Sequence, residues 1–208
     1  METSRKIFWG IAIYAAFLVF LFLFFKNNVV AADVNIFLMV MGLYNPYAEA
    51  FFNIVTYIGS TIFWLFMIIL FWLDNKRKIS IRLLYVFILD TLAMVVLKTA
   101  FMRSRPFEVF HLGVDMDINM GPSFPSGHTE RAFSGAFILS QYYRKYSIFF
   151  YSLAILIAVS RVYLGLHFPF DTLIGALNGL MIALLSLAIP TKKIEDYFKK
   201  KNSSKAKR

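Results

Sequence analysis

The chain has 208 residues, of which 59% are hydrophobic and 16% charged, and it contains no cysteine, which excludes disulfides and thiolate metal sites. Soluble domains carry about 25% charged residues, so this composition indicates an integral membrane protein. The formal net charge is +10, and +6 of it belongs to the segment after Pro190; such a basic end is typical of a cytoplasmic anchor beside a membrane, not of a nucleic-acid site, and we expect no nucleic-acid partner.

The first predicted membrane helix covers residues 7–25, a run of nineteen residues without a charge that follows Arg5 and Lys6. A secretory signal would have a shorter apolar core and a small-residue cleavage site, so we interpret this run as a membrane span. Five further runs are apolar and long enough to cross a bilayer. The sequence therefore predicts an all-α integral membrane fold with six spans, at residues 7–25, 51–73, 81–101, 126–143, 148–164 and 170–189.

Residues 29–50 separate the first two spans and are also apolar, but Asp33, Asn35 and the helix-breaking pair Asn45 and Pro46 interrupt them. Their uninterrupted core, residues 36–44, is too short to cross a bilayer. We interpret this segment as a helix lying in the membrane interface. The alternative is a segment that re-enters the membrane.

Lys and Arg residues predict the orientation of the chain. With six spans and the N-terminus inside, sixteen of the 22 Lys and Arg residues fall on the cytoplasmic side, which agrees with the positive-inside rule. We therefore expect residues 1–190 to form one domain of the cell membrane, followed by a basic cytoplasmic tail at 191–208. Six cations are predicted on the outer side, against the positive-inside rule, and an anionic ligand would explain their position. They are Lys26, Lys98, Arg103, Arg105, Arg131 and Arg161.

The fourth span opens with an unusual stretch. Pro125 favours an extended backbone at the residue before it, Phe124. Ser126 is a candidate helix cap, and Gly127 lets another group approach the backbone closely. The first amides of a helix lack partners and carry the positive end of the dipole, which suits phosphate. His128 follows as a candidate proton donor. The alternative is a capped helix start with an incidental histidine.

Two cations close the third span. Lys98 and Arg105 are seven residues apart, so they share a face if the helix continues through them, since seven residues make about two turns. Lys98 alone is equally consistent with a side chain that extends to the interface from the end of a span.

The third stretch joins the fifth and sixth spans and contains Arg161, His167 and Asp171. Pro169 puts Asp171 in the first turn of the last helix, from which it can accept a hydrogen bond from the imidazole and fix its tautomer. Singly, these residues are also consistent with an interface anchor, a helix cap and helix-terminus electrostatics. However, the number of predicted crossings between them places all three stretches at the outer face of the membrane. Eleven specified positions at fixed spacings on that face favour a shared function.

Together, these stretches resemble the signature of the type 2 phosphatidic acid phosphatase superfamily, which also includes bacterial acid phosphatases and vanadium haloperoxidases. The likeness covers about residues 45–190, fills every signature position, and extends to the six-span layout of the integral-membrane lipid phosphatases. It implies that His167 is a nucleophile that forms a phosphohistidine, that Asp171 orients it, and that His128 protonates the leaving oxygen. It further implies that the phosphoryl oxygens are held by Lys98, Arg105, Arg161 and the amides at Ser126 and Gly127.

The chemistry agrees with this resemblance. Phosphoryl transfer requires an in-line nucleophile and stabilisation of the charge on the equatorial oxygens, and three cations with a helix N-terminus can provide that stabilisation. We predict no metal and no cofactor. The expected substrate is a lipid phosphate, with polyprenyl or undecaprenyl diphosphate favoured and phosphatidylglycerophosphate, phosphatidate or lipid A as alternatives. A non-catalytic lipid-phosphate binder or transporter would need the cations but not the two histidines. The oligomeric state is not predicted.

Arg131 is a predicted head-group contact. It follows His128 by three residues and so lies within about 60° of it around the helix, one turn deeper. Arg103 would point about 140° from the Lys98 and Arg105 face if that turn is helical. We therefore expect Arg131 to contact the second phosphate of a diphosphate, with pairing to a carboxylate such as Glu130 or Asp171 as the alternative.

Other polar residues have less specific predictions. Asp90 and Asn178 fall near mid-membrane, where an ionisable or polar group is costly, and we expect hydrogen bonds between spans there, with a functional polar path as the alternative. The remaining set lies in the loop of residues 102–124, where we expect solvated side chains; it comprises His111, Asp115 and Asp117.

Overall fold

The computed structural model describes residues 2–28, 30–112 and 121–191, and within these ranges the chain is helical and contains no strand. Asp115, Asp117 and residues 192–208 of the predicted tail lie outside the described residues. The described helices are α1 (Glu2–Asn28), α2 (Val30–Met41), α3 (Pro46–Tyr57), α4 (Thr61–Leu73), α5 (Arg77–Phe101), α6 (Pro106–Val109), α7 (Gly127–Tyr142), α8 (Ser147–Tyr163) and α9 (Pro169–Ala188).

Helix α7 lies at the centre of the bundle and packs against α5, α8 and α9. Glycines allow this close packing. A Cβ atom on Gly175 of α9 would lie 2.6 Å from the carbonyl oxygen of Ser126, and one on Gly179 would meet the backbone of Glu130. Gly135 of α7 in turn faces the ring of Trp64. Small residues at helix interfaces let backbones approach, as is common in membrane bundles.

Three segments of the described residues are long and apolar enough to span a membrane, at 77–109, Arg144–Tyr163 and Pro169–Ala188. A fourth is obtained if α3 and α4, which meet at a bend of 45°, form one broken span. The predicted continuous span at 51–73 is therefore wrong in its interior. The helix is interrupted after Tyr57, and Ser60 caps the start of the next one, because its hydroxyl accepts a hydrogen bond from the amide of Phe63 at 3.2 Å. The count of six spans stays a prediction.

Helix α7, predicted as the fourth span, has 16 residues and many buried polar side chains. Its neighbours are helices, so polar groups on it meet protein rather than lipid. The hydrogen bonds predicted for Asp90 and Asn178 are observed between helices. The hydroxyl of Ser134 donates to Asp90 Oδ2 at 2.6 Å, joining α7 to α5, and Tyr14 of α1 donates to Asn178 Oδ1 at 2.8 Å.

The segment predicted as one interfacial helix at 29–50 is divided into α2 and the start of α3. Asn45 makes the division, because its side-chain oxygen caps α3 by accepting from the amide of Tyr47 at 2.8 Å, with Pro46 in the first helical position. Asp33 and Phe37 on α2 are buried. The ring of Phe37 packs on Phe168, next to the predicted third stretch, with centroids 5.4 Å apart. A position in the membrane interface stays a prediction.

The predicted polar loop of residues 102–124 contains the short helix α6, which begins at Pro106. The side chain of Glu108 accepts a hydrogen bond from the amide of Arg105 at 2.8 Å and so closes its first turn. His111 is exposed, as expected of a solvated loop.

Candidate active site

The three predicted stretches meet at one end of the bundle, where α5 ends and α7 and α9 begin. The amide of Ser126 donates to the carbonyl of Asp171 at 3.0 Å, which joins the first turns of α7 and α9. Arg105 donates to the carbonyl of Leu166 at 2.9 Å, and Lys98 donates to the carbonyl of Pro122. The convergence predicted from parity is therefore observed.

Ser126 occupies the cap position of α7 with an extended backbone, but its side chain does not cap the helix as predicted. Its hydroxyl instead accepts a hydrogen bond from the hydroxyl of Thr129 at 3.1 Å. Consequently, no described side chain caps the first amides of α7, and these amides carry the positive end of the helix dipole. An oxyanion is the ligand that such a helix terminus favours.

The guanidinium of Arg105 is held by backbone carbonyls. It is 4% exposed and donates to Gly121 and Leu166 at 2.8 and 2.9 Å, while its NH1 atom lies 3.4 Å from Nε2 of His167. It reaches this position through a loop rather than along a helix face, because α5 ends at Phe101. The predicted helical alignment of Lys98 and Arg105 is thus wrong in its geometry, although both reach the site.

Arg161 of α8 is also buried, at 4% exposure. Its NH1 atom donates to the hydroxyl of Thr56 on α3 at 2.8 Å. The hydrogen bonds described for Lys98 and Arg161 thus go to a carbonyl and a hydroxyl rather than to a carboxylate. Buried charges are costly unless they are paired, so the buried Arg161 and the half-buried Lys98 favour an anionic ligand at the site.

His167 precedes α9 and is almost fully buried. Burial, followed by the positive charges of Arg161, Arg105 and Lys98, lowers the pKa of His167 well below its usual value, which favours the neutral imidazole. Its Nδ1 atom lies 3.5 Å from Oδ2 of Asp171, longer than a normal hydrogen bond. The predicted imidazole–carboxylate bond is therefore not formed, and that oxygen accepts a hydrogen bond from the amide of Phe168 at 2.9 Å.

Two residues of this site were not predicted. Arg103 donates from NH1 to Asp171 and from NH2 to Asp33, at 2.6 Å in both cases. The prediction that Arg103 points away from the site is wrong, because it extrapolated a helix through Met102, which has a left-handed φ of 44°. The signal for Asp33 was available: a carboxylate inside an apolar stretch is costly and marks a functional position.

His128 lies in the first turn of α7, beside the break between α3 and α4. A Cβ on Gly59, in that break, would lie 3.0 Å from the Cβ of His128. Arg131 is buried one turn further along, and its guanidinium carbon lies 5.7 Å from the ring centre of Phe87. It lines a cavity of about 10 Å³ together with Asp90, a volume that holds about one water. This interior position favours a charge partner inside the bundle. The predicted head-group contact stays a prediction.

A helix N-terminus, three cations and two imidazoles lie at one end of a helical bundle that contains candidate membrane spans, and such an arrangement favours an oxyanion as ligand. The sequence model of the PAP2 superfamily matches residues 79–195, more than half of the chain. The chain therefore belongs to the PAP2 superfamily, as the resemblance of its three stretches implied.

Similar proteins support this assignment. The chain is 34% identical over 131 residues to an undecaprenyl-diphosphatase of Sulfolobus acidocaldarius, covering 60% of this chain and 64% of the relative, less than two thirds of its length. It is 29% identical over 163 residues to a lipid A 4'-phosphatase of Porphyromonas gingivalis, covering 71% and 68% of the two chains. The crystal structure of a transmembrane PAP2-type phosphatidylglycerolphosphate phosphatase from Bacillus subtilis superposes with a TM-score of 0.69 at 26% identity, covering 90% of this chain and 96% of that one.

Proposed function

We propose that this protein is a lipid phosphatase of the cell membrane, with its site at the extracytoplasmic face, its termini in the cytoplasm and a phosphohistidine as its intermediate. The observation that carries the proposal is the position of Nε2 of His167, which lies 3.4 Å from the Arg105 guanidinium. A phosphoryl group bound by Arg105 would thus lie next to a nitrogen lone pair. Lys98, Arg161 and the first amides of α7 would bind its other oxygens.

In the first step, Nε2 of His167 attacks the phosphorus and the bond to the lipid oxygen breaks. Protonated His128 gives its proton to that oxygen. In the second step, neutral His128 takes a proton from water, the water oxygen attacks the phosphorus, and the bond to Nε2 breaks. The products are inorganic phosphate and either a lipid alcohol, from a monoester, or a lipid monophosphate, from a diphosphate.

Asp171 supports this mechanism because of its distance from His167. A carboxylate 3.5 Å from Nδ1 favours the tautomer with its proton on Nδ1, which leaves Nε2 unprotonated and able to attack. The same carboxylate stabilises the positive charge that develops on the ring when Nε2 is phosphorylated. We propose a mechanism that uses no metal ion, in which the cations of the site neutralise the phosphoryl oxygens.

A polyprenyl or undecaprenyl diphosphate is the favoured substrate, and the Sulfolobus acidocaldarius relative named undecaprenyl-diphosphatase supports it. The relatives named lipid A 4'-phosphatase and phosphatidylglycerolphosphate phosphatase support two alternatives of the same mechanism, and phosphatidate is a third. A lipid-phosphate binder or transporter is the alternative from another class. It would need the cations of the site, but not a neutral imidazole beside them and a second imidazole at the helix start.

Phosphate release by the purified protein tests this proposal. In detergent micelles the protein is expected to release phosphate from at least one of polyprenyl diphosphate, phosphatidylglycerophosphate, phosphatidate and lipid A. The His167→Ala variant should release none and should still bind the preferred lipid. Binding of a lipid phosphate without turnover by the unchanged protein would instead support the binder or transporter.

A further inference from the structure

Arg103 links two buried carboxylates that come from distant parts of the chain. One of its terminal nitrogens donates to Oδ1 of Asp171 on α9, and the other to Oδ2 of Asp33 on α2, both at 2.6 Å. The side chain of Asp171 is fully buried, that of Asp33 is 2% exposed and that of Arg103 is 14% exposed. The two ion pairs are therefore largely shielded from water, and their electrostatic interactions are stronger than they would be at the surface.

The guanidinium is shared between two partners, although it could engage one of them with both nitrogens. A planar guanidinium commonly binds one carboxylate through two parallel hydrogen bonds. Here the NH2 atom of Arg103 donates to Asp33, and its NH1 atom donates to Oδ1 of Asp171. Oδ2 of Asp171 is left to the amide of Phe168 and to the side facing His167.

Further contacts fix this arrangement. The guanidinium carbon of Arg103 lies 4.1 Å from the ring centre of Phe168, a cation–π contact that restrains the orientation of the guanidinium. Oδ1 of Asp33 accepts a hydrogen bond from the amide of Phe170 at 2.8 Å. Asp33 therefore binds both Arg103 and the first turn of α9, and it ties α2 to the segment that carries His167 and Asp171.

We propose that Arg103 and Asp33 are positioning residues of the reaction. Arg103 orients the carboxylate of Asp171 toward His167, and Asp33 keeps Arg103 from binding both oxygens of that carboxylate. Helix α2 is thereby part of the active site. This inference rests on the proposed function, since it concerns how the nucleophile is held.

The titration of His167 reports the charge that surrounds the nucleophile, whereas a loss of kcat at unchanged charge, as in Arg103→Lys, reports its positioning. Removing the charge of Arg103 makes the surroundings of His167 more negative and raises its pKa, whereas removing the charge of Asp33 lowers it. The acid limb of kcat/KM against pH reports ionisation in the free enzyme, and the nucleophile must be unprotonated. The titratable or charged groups near His167 are Lys98, Arg105, His128, Arg161 and Asp171, and Arg103 and Asp33 are linked to it through Asp171.

The test compares Arg103→Gln, Arg103→Lys, Asp33→Asn and the double variant Asp33→Asn with Arg103→Gln. We expect kcat to fall by about 10- to 100-fold in Arg103→Gln and about tenfold in Asp33→Asn, as for other residues that orient a reacting group, with KM changing little. The acid limb should move by roughly half a pH unit, upward in Arg103→Gln and downward in Asp33→Asn. Arg103→Lys keeps the charge and should keep the limb, with a smaller loss of kcat than Arg103→Gln.

The double variant tests whether Asp33 acts through Arg103. When Asp33→Asn is added to Arg103→Gln, kcat should fall little further, because the guanidinium that Asp33 holds in place is already absent. Arg82→Gln is the matched control. Arg82 is a buried arginine near the start of α5 that donates to backbone carbonyls at the end of α9, among them that of Ile189, at the opposite end of the bundle. Its loss should lower thermal stability and leave the pH profile unchanged.

Wild-type values of kcat and of the acid limb in folded Asp33→Asn and Arg103→Gln proteins would overturn the inference. So would limbs that shift in the same direction, or fully additive losses in the double variant. If Arg103→Gln does not fold, Asp33→Asn and Arg103→Lys decide the question through the same two measurements. A wild-type protein that hydrolyses no lipid phosphate would instead count against the proposed function.

Discussion

Nδ1 of His167 and Oδ2 of Asp171 lie 3.5 Å apart, close enough to interact electrostatically but too far for a strong hydrogen bond. Hydrogen bonds of reacting groups are often long in the absence of ligand and shorten in complexes. Phosphorylation of Nε2 would place a positive charge on the ring and attract the carboxylate. We therefore expect this distance to shorten in the phosphorylated protein, with Oδ1 of Asp171 still held by Arg103.

The first prediction concerns the covalent intermediate. His167→Ala should abolish turnover, since it removes the imidazole nitrogen that lies 3.4 Å from the Arg105 guanidinium. Brief reaction of the unchanged protein with a ³²P-labelled lipid phosphate, followed by denaturation, should give a labelled protein whose label is lost in acid and kept in alkali, as a phosphohistidine requires. Residual turnover in the variant above the uncatalysed background would refute the nucleophilic role of His167.

The second prediction separates the acid from the nucleophile. His128→Ala should lower kcat by about 10²- to 10⁴-fold on a lipid phosphate, because the lipid alkoxide leaves poorly without a proton. On a p-nitrophenyl phosphate ester, whose leaving group is a weak base, the loss should be much smaller. His167→Ala is the control, because it should lose both activities equally. The ratio of the two activities in each variant is the measurement, and equal losses in His128→Ala would remove the acid role.

The third prediction concerns metal ions and oxyanions. Activity should survive dialysis against EDTA, because the positive charge at the site is supplied by Lys98, Arg105 and Arg161. Orthovanadate should inhibit competitively, since it can adopt the five-coordinate geometry of the transferring phosphorus between the two histidines. Phosphate release is measured with and without each reagent. Loss of activity in EDTA that Mg²⁺ or Zn²⁺ restores would contradict this expectation.

The fourth prediction tests the close contact that positions the helix N-terminus. A Cβ on Gly175 would lie 2.6 Å from the carbonyl oxygen of Ser126, so Gly175→Ala must push α9 away from the start of α7. We expect a loss of about 1–3 kcal/mol in the free energy of unfolding, typical of overpacking, together with a lower kcat. Gly42→Ala is the matched control, because its Cβ would lie 3.4 Å from the nearest described atom. Equal unfolding transitions for the two variants would show that the contact is not restrictive.

The sequence predicted the convergence of the three stretches because that convergence depends on topology: an even number of crossings returns the chain to the same membrane face. It did not predict the role of Arg103, since a single left-handed residue, Met102, changes the direction of every side chain that follows. Nor did it predict the pairing of Asp33, which depends on how α2 folds back onto the start of α9. Such contacts between distant segments have no periodic signal in the sequence.

The second span illustrates the same limit. Residues 51–73 have the composition of one continuous span, and the turn at Ser60 is visible only as one serine after a glycine. The structure bends there by 45°, and Gly59 lies against His128 and Ile157. The contacts of this turn with α7 and α8 depend on tertiary packing, which local hydropathy does not describe.

The last prediction concerns Arg131 and the choice between diphosphate and monophosphate lipids. The sequence predicts that Arg131 contacts the second phosphate, which would make Arg131→Ala more damaging on a diphosphate. In the structure its guanidinium is buried near Phe87 and lines a cavity with Asp90. We therefore expect similar losses of kcat/KM on polyprenyl diphosphate and polyprenyl monophosphate of equal chain length. Because Asp90 would lose a nearby buried cation, we also expect a loss of about 3–5 kcal/mol in stability.

The control for Arg131→Ala is the double variant with Asp90→Asn, which removes the interior carboxylate as well. If Arg131 serves mainly as the interior partner of Asp90, the double variant should regain part of the lost stability, because position 90 then no longer carries a buried charge without its counter-charge. Unfolding transitions and kcat/KM on both lipids are measured for the two variants. A loss on the diphosphate at least tenfold greater than on the monophosphate, with no recovery in the double variant, would assign Arg131 to the head group after all.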